Sequence, residues 1–197
     1  DFMGYGAPGD RTVRNGWLNR YLSESAGMQS NDFRAIGMQR LLPTSLRGLY
    51  PVLAVPDEVK KKRSKDVLDY FEKFYGADGE QASSDEEGDG MDMDREREEG
   101  VDIVQSGKVT IETLRRYREI ISRAESQGDG YPNTRFGTGM RHIAQLILSG
   151  EGLEVAGLDY GAWDHHANQG ASDGSLARSL RELAVSLAAF AQHLGEA

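Results

Sequence analysis

An α/β fold is what this sequence predicts, and three observations carry the prediction. The last third of the chain runs helix, strand, helix, the rhythm of a parallel sheet with helical crossovers. Earlier, the apolar run Val52–Val55 sits between Pro51 and Pro56, as a short strand does. The longer segments repeat apolar residues at steps of three and four, the period of a helix with one apolar face. With 197 residues, of which 38% are hydrophobic, the chain has material for one core and for long loops, the latter also indicated by 24 glycines.

Taken in order, residues 14–25 read as a helix with Trp17, Leu18, Tyr21 and Leu22 on one face. Residues 33–42 mix apolar and basic side chains and end at Pro43, which fits a strand. The Val52–Val55 strand follows. Asp57 is placed to cap a helix through about Tyr75, with Val59, Val67, Leu68, Phe71 and Phe74 inward. Thr110 opens another helix with Leu114, Tyr117, Ile120, Ile121 and Ala124 as its stripe. Residues 134–149 form a further helix, with Phe136, Met140, Ile143, Leu146 and Ile147 inward and Gly150 as its stop. Residues 153–160 are mostly apolar and read as a strand buried on both faces. Residues 175–194 give the clearest helix, because Leu176, Leu180, Leu183, Leu187, Phe190 and Leu194 recur at steps of three and four. There is no internal repeat.

Charge narrows the function. The formal net charge is −9, which gives neither nucleic acid nor an anionic membrane surface a reason to approach. Residues 78–100 hold that whole excess, eleven acids against Arg95 and Arg97. Met91 and Met93 are the only sizeable apolar residues there, too few to offset the entropy of ordering, so a disordered acidic insertion is expected. An EF-hand loop needs glycine at its sixth position, and counting from Asp89 or Asp92 places Asp94 or Arg97 there instead. No cysteine is present, so disulfides, thiolate metal sites and cysteine nucleophiles are excluded. No apolar run reaches the ~20 residues that span a bilayer. The chain opens at Asp1 rather than methionine, so a leader, tag or larger upstream piece is expected to be missing, and no address can be read from the N-terminus.

Several motifs are weaker than they look. Gly4-Tyr5-Gly6-Ala7-Pro8-Gly9 matches a dinucleotide fingerprint literally, but only three residues precede it and Pro8 lacks an N–H. The basic run Lys60–Lys65 is half neutralised by Asp57, Glu58 and Asp66 and reads as a solvated helix face. No nucleophile elbow and no Ser-x-x-Lys motif is visible, so a serine hydrolase has no support. His142 and His193 fall on helices and read as structural.

The segment Trp163-Asp164-His165-His166-Ala167-Asn168-Gln169 is different, since it holds two of the four histidines beside an aspartate just past a strand. The carboxyl ends of parallel strands are where open α/β sheets place ligands. An aspartate oxygen and an imidazole two residues apart can face one divalent ion, and zinc, manganese or iron accepts such donors. Asn168 and Gln169 would then orient the imidazole by hydrogen bonds. Asp-x-His pairs also arise as helix caps and hydrogen-bonded loops, so this alternative stands beside the metal reading.

Gly161-Ala162-Trp163-Asp164-His165-His166-Ala167-Asn168-Gln169 resembles the Gly-Trp-Asp-Thr-His-x-Asn-Gln block of the bacterial "domain of unknown function 1501" proteins. Asp1-Phe2-Met3 through Leu22, Leu42-Pro43-Thr44-Ser45-Leu46-Arg47-Gly48, Arg141-His142-Ile143-Ala144-Gln145-Leu146-Ile147 and the closing Leu187–Phe190 helix resemble the same family in the same order. That family is placed with the alkaline phosphatases and sulfatases, whose central sheet, flanked by helices, holds divalent metals at its carboxyl edge and which cleave phosphate or sulfate esters. The resemblance implies metal-ligand positions for Asp164 and His166. His165 replaces the usual threonine, which makes it an extra ligand, an alternative ligand or a bystander. It also implies an extracytoplasmic location, periplasmic or secreted. Relatives carry further metal-site segments upstream and downstream, so the chain resembles an internal portion of a longer member, with an incomplete active site.

The expected organisation is therefore a partial alkaline phosphatase-like sheet in two parts, 1–77 and 101–197, around the acidic insertion 78–100. The expected function is a metal-dependent hydrolase-like domain acting on a small phosphate or sulfate ester. The alternative is a non-catalytic assembly module that pairs an open strand edge with itself or with a partner chain.

Overall fold

The computed structural model describes residues 2–10, 12–25, 31–39, 41–55, 109–124, 130–161, 163, 164, 166 and 169–195. The chain divides into two compact units, one made of Asp1–Asp57 with Tyr117–Ala197 and the other of Glu58–Arg116. The expected helix at 57–75, the basic run at 60–65 and the acidic stretch at 78–100 lie outside the described residues.

In chain order the elements are helix α1 (Phe2–Tyr5), helix α2 (Trp17–Glu24), strand β1 (Ala35–Gly37), a 3-10 turn (Thr44–Leu46) and strand β2 (Leu53–Ala54). Helix α3 follows over residues 109–123, then helix α4 (Arg135–Leu148), strand β3 (Val155–Gly157) and helix α5 (Ser175–Gly195). The three strands form a parallel sheet in the order β2-β1-β3. Ile36 pairs with Leu53 and Ala156, and Gly37 with Ala54 and Gly157. The α/β class read from the sequence is the class observed.

Strand β1 is central and buried throughout. Its neighbour β3 is tied to it at both ends: the amides of Glu154 and Val155 donate to the Arg34 carbonyl, and the Met38 amide donates to the Gly157 carbonyl at 2.8 Å. Leu22, Ala35 and Leu46 form an apolar cluster, with Leu18, Leu42, Tyr50, Val52 and Val155 packed around it. The 3-10 turn sits close to the sheet because β3 ends in glycine, where a Cβ would stand 2.9 Å from the Leu46 side chain.

Two buried polar residues hold this layer together. The Asn19 amide donates to the carbonyls of Leu46 (3.0 Å) and Tyr50 (2.9 Å), and its oxygen accepts from the Tyr50 amide at 3.0 Å. The Arg34 guanidinium donates to the Leu22 carbonyl and to the carbonyl and hydroxyl of Ser25, and pairs with Glu154 at 2.9 Å. The Glu154 hydrogen bond is the main reason the guanidinium holds its proton even more firmly than usual, and the same contact lowers the Glu154 carboxyl below its ordinary value.

Helix α4 begins where the sequence placed it. Thr134 caps it by accepting from the Gly137 amide at 3.1 Å, and Gly150, at φ +73°, ends it. Phe136, Met140, Ile143, Ala144 and Leu146 are buried, whereas Ile147 is largely exposed. His142 is a buried structural histidine, 2.8 Å from the Tyr117 hydroxyl through Nδ1. Helices α4 and α5 pack against one another.

Besides Ile147, three sequence expectations fail at least in part, each for a local reason. Trp17 and Tyr21 do not share the inward face of α2, where Asn19 and Leu22 are buried; the three hydrogen bonds of Asn19 set the rotation of the helix and leave both rings about half exposed. Strand β3 is not buried on both faces, because it lies at an end of the described sheet and Ala156 is exposed. In α5 only part of the expected stripe faces inward: Leu176, Leu183, Phe190 and Leu194 are part-buried. Ser186 and Ala189 are the buried residues, while Leu180 and Leu187 are half exposed, since small side chains allow the closer helix approach.

Candidate functional site

Beyond β3 the chain passes through Leu158, Asp159 and Tyr160 and reaches Trp163, Asp164 and His166 at the carboxyl side of the sheet. What positions this segment is α4. Gly139 faces Leu158 so closely that a Cβ there would stand 2.8 Å from the leucine Cδ1. One turn earlier, Phe136 meets the Tyr160 ring at 4.6 Å between centroids. The Tyr160 hydroxyl reaches α5, 3.0 Å from the Ser179 carbonyl and 3.2 Å from a Glu182 carboxylate oxygen, and burial raises its pKa above the ordinary tyrosine range. Trp163 then stands edge-on to Tyr160 at 5.1 Å, and its indole N–H donates to the Tyr160 carbonyl at 2.9 Å.

On that support Asp164 and His166 come together, Oδ2 and Nε2 lying 2.9 Å apart, with side chains 73% and 90% exposed. Two donors on a tetrahedral ion with bonds of about 2.0–2.2 Å stand roughly 3.4 Å apart, so a small opening of this pair would admit one ion. Gln169 is exposed, and His165 and Asn168 lie outside the described residues. Among the described residues no group of three or more histidine, aspartate or glutamate side chains surrounds a common point. At 2.9 Å the two side chains bond to each other, the hydrogen-bonded alternative that the sequence left open, and they do not make up a coordination shell.

The other motifs have structural roles or lie elsewhere. The Gly4–Gly9 run follows helix α1 rather than a strand, with Gly6 and Gly9 at positive φ, and so lacks the strand-turn-helix context of a dinucleotide site. His193 is 3.2 Å from the Tyr131 hydroxyl. The candidate calcium positions at Asp89 and Asp92 are outside the described residues. No helix among the described residues is long and apolar enough to cross a membrane. The aromatic support formed by Phe136, Tyr160 and Trp163 was not read from the sequence. Its only linear trace is the spacing of three between Tyr160 and Trp163.

An α/β chain with an exposed Asp–His pair beyond a parallel strand is the class that fold and site define. Residues 3–197 match the model of the family described as a protein of unknown function (DUF1501), and the chain belongs to that family. Neither the curated proteins nor the solved structures include a match to it.

Proposed function

We propose that the chain is a metal-dependent hydrolase-like domain of the alkaline phosphatase and sulfatase type, acting on phosphate or sulfate esters outside the cytoplasm. The observation that carries this reading is the convergence of the Asp164 and His166 donor atoms to 2.9 Å beyond the carboxyl end of β3. A divalent zinc, manganese or iron ion bound there would supply Lewis acidity toward an ester oxygen and toward coordinated water. Asp164 and His166 would hold it. Asn168 and Gln169 would orient the imidazole through hydrogen bonds, and His165 is the nearest candidate for a further donor. Catalytic sites of this kind use three or more protein ligands, so the remaining ones would come from another segment of a longer member.

The test is elemental mass spectrometry on the natively purified chain beside Asp164→Ala. Near-stoichiometric metal that is lost in the variant, together with ester hydrolysis, is the expected result. A folded, metal-free chain overturns the reading.

A second reading has one observation in its favour. Strand β3 lies at an end of the described sheet with Ala156 exposed, so an assembly module pairing strand edges is the alternative. Its signature is an oligomer, seen by light scattering, that persists unchanged in Asp164→Ala. A chain that is monomeric at all concentrations excludes it.

A further inference from the structure

Helix α5 carries more apolar residues than its packing uses. It packs against α4, Ser186 and Ala189 are its buried residues, and from Leu183 to Gly195 it has no aspartate, glutamate, lysine or arginine. A helix that is apolar all round is ordinarily covered all round. Here one side is not. Leu180 and Leu187 are 50% and 49% exposed, and Ala184, Ala188 and Ala191 are exposed with them.

The spacing on that side is regular. Ala177, Leu180, Ala184, Leu187, Ala191 and Leu194 follow one another at steps of three and four, which sets them in one row along about 26 Å of helix. Only the ends of the row, Ala177 and Leu194, are half-buried. Such steps are the seam of a helix pair, so the occupant is another helix. The order of sizes says which one. Alanine and leucine alternate, and the row is its own complement when reversed. In an antiparallel pair with a two-fold axis between Ala184 and Leu187, Leu180 faces Ala191 of the other copy, Leu187 faces Ala184 and Leu194 faces Ala177. Large against small is how facing helices fill space without voids, and a patch that matches its own reversal is what a two-fold dimer requires. A parallel pair would set alanine on alanine and leave gaps. Charge favours the same orientation. Arg181, exposed at the flank of the row in the N-terminal half of α5, is carried toward the C-terminal end of the other copy's helix, where unpaired carbonyls are negative. The parallel pair would gather both arginines beside two positive N-termini.

We infer that the exposed face of α5 is the interface of a dimer in which α5 of one copy packs antiparallel on α5 of a second copy. One pair of 21-residue helices is at the small end of specific interfaces, so the dimer is reversible, with a dissociation constant of about 10–100 μM.

Sedimentation equilibrium of the unaltered chain from about 1 to 300 μM should show monomer passing to dimer. Leu187→Glu sets a carboxylate against Ala184 twice in each dimer and should weaken association at least about tenfold. It should leave the melting temperature of the monomer in place, because residue 187 is already half exposed. The chain has no cysteine, so introduced thiols report the orientation. Leu180→Cys alone should form no disulfide on treatment with oxidised glutathione, since the two thiols stand about 16 Å apart along the helices. Leu180→Cys combined with Ala191→Cys in one chain should give a disulfide-linked dimer. A chain that stays monomeric throughout overturns the proposal and leaves this face to a different chain. A dimer that survives Leu187→Glu overturns it too and moves the contact elsewhere, the strand edge included. Self-linking of Leu180→Cys alone overturns the antiparallel pairing. If Leu187→Glu lowers the melting temperature, the concentration series and the cysteine pair still decide.

Discussion

Asn19 and Asp164 have side chains of almost the same size and shape, and the molecule treats them in opposite ways. Asn19 is 1% exposed, with both ends of its amide bonded to backbone of the segment 46–50. Asp164 is mostly exposed and pairs with His166. A buried polar group must have its partners supplied by the protein, so it is part of the architecture. An exposed one paired with a neighbouring imidazole can exchange that contact for a ligand. The difference separates a polar residue that holds the layer beside β1 from one, in the loop after β3, that is free to exchange its contacts.

The largest test of that contrast is Asn19→Leu. It keeps the branching at Cγ and strands the Leu46 and Tyr50 carbonyls and the Tyr50 amide, each costing roughly 1–3 kcal/mol. Urea unfolding should show a loss of about 3–5 kcal/mol, and an unchanged midpoint would break the comparison. Next is Thr134→Ala, which removes the α4 cap and should cost about 1 kcal/mol by the same measurement.

A smaller effect comes from Glu154, whose carboxyl is held below its ordinary value of 4.5 by Arg34. A lowered folded-state value means its stabilisation is fully present above that ordinary value and is lost as pH falls below it. Glu154→Gln should therefore lower the melting temperature at pH 7 by a small amount, because the carboxylate is half exposed, and the difference from the unaltered chain should vanish as pH falls from about 5 to 3, which flattens the acid limb. The smallest effect on stability belongs to Asp164→Asn, which should leave the melting temperature in place while abolishing metal uptake measured by calorimetry with zinc. A large destabilisation would move Asp164 to the structural side of the comparison.

How far the sequence reveals this arrangement depends on whether the determining contacts are local. Helix α4 was legible because Thr134, the step-three and step-four apolar residues and Gly150 all lie within one segment. β2 and β3 were legible as apolar runs and β1 as a mixed apolar and basic stretch ending at Pro43, though not their lengths. The inward face of α5 was not legible: six regularly spaced leucine and phenylalanine residues outweigh Ser186 and Ala189 in any reading by hydrophobicity, yet the small residues are the buried ones. The inward turn of Asn19 was invisible for a related reason, since its partners are 27 and 31 residues away. At the site, Asp164 and His166 were legible because they are two residues apart. The ring support beneath Trp163 was not, because Phe136 comes from a different helix.

The strand order β2-β1-β3 has a consequence for how the family can vary in length. Strands β2 and β3 flank β1 and take their register from it, so both ends of the chain between Ala54 and Val155 are anchored independently of what lies between them. That stretch is not one free loop, since α4 lies within it and packs on α5. Only a flexible insertion inside it would carry a closure entropy that grows with the logarithm of its length, about 0.6 kcal/mol per doubling, less than the Thr134 cap contributes. The acidic run at 78–100 falls in the same stretch of sequence, apart from the three paired strands.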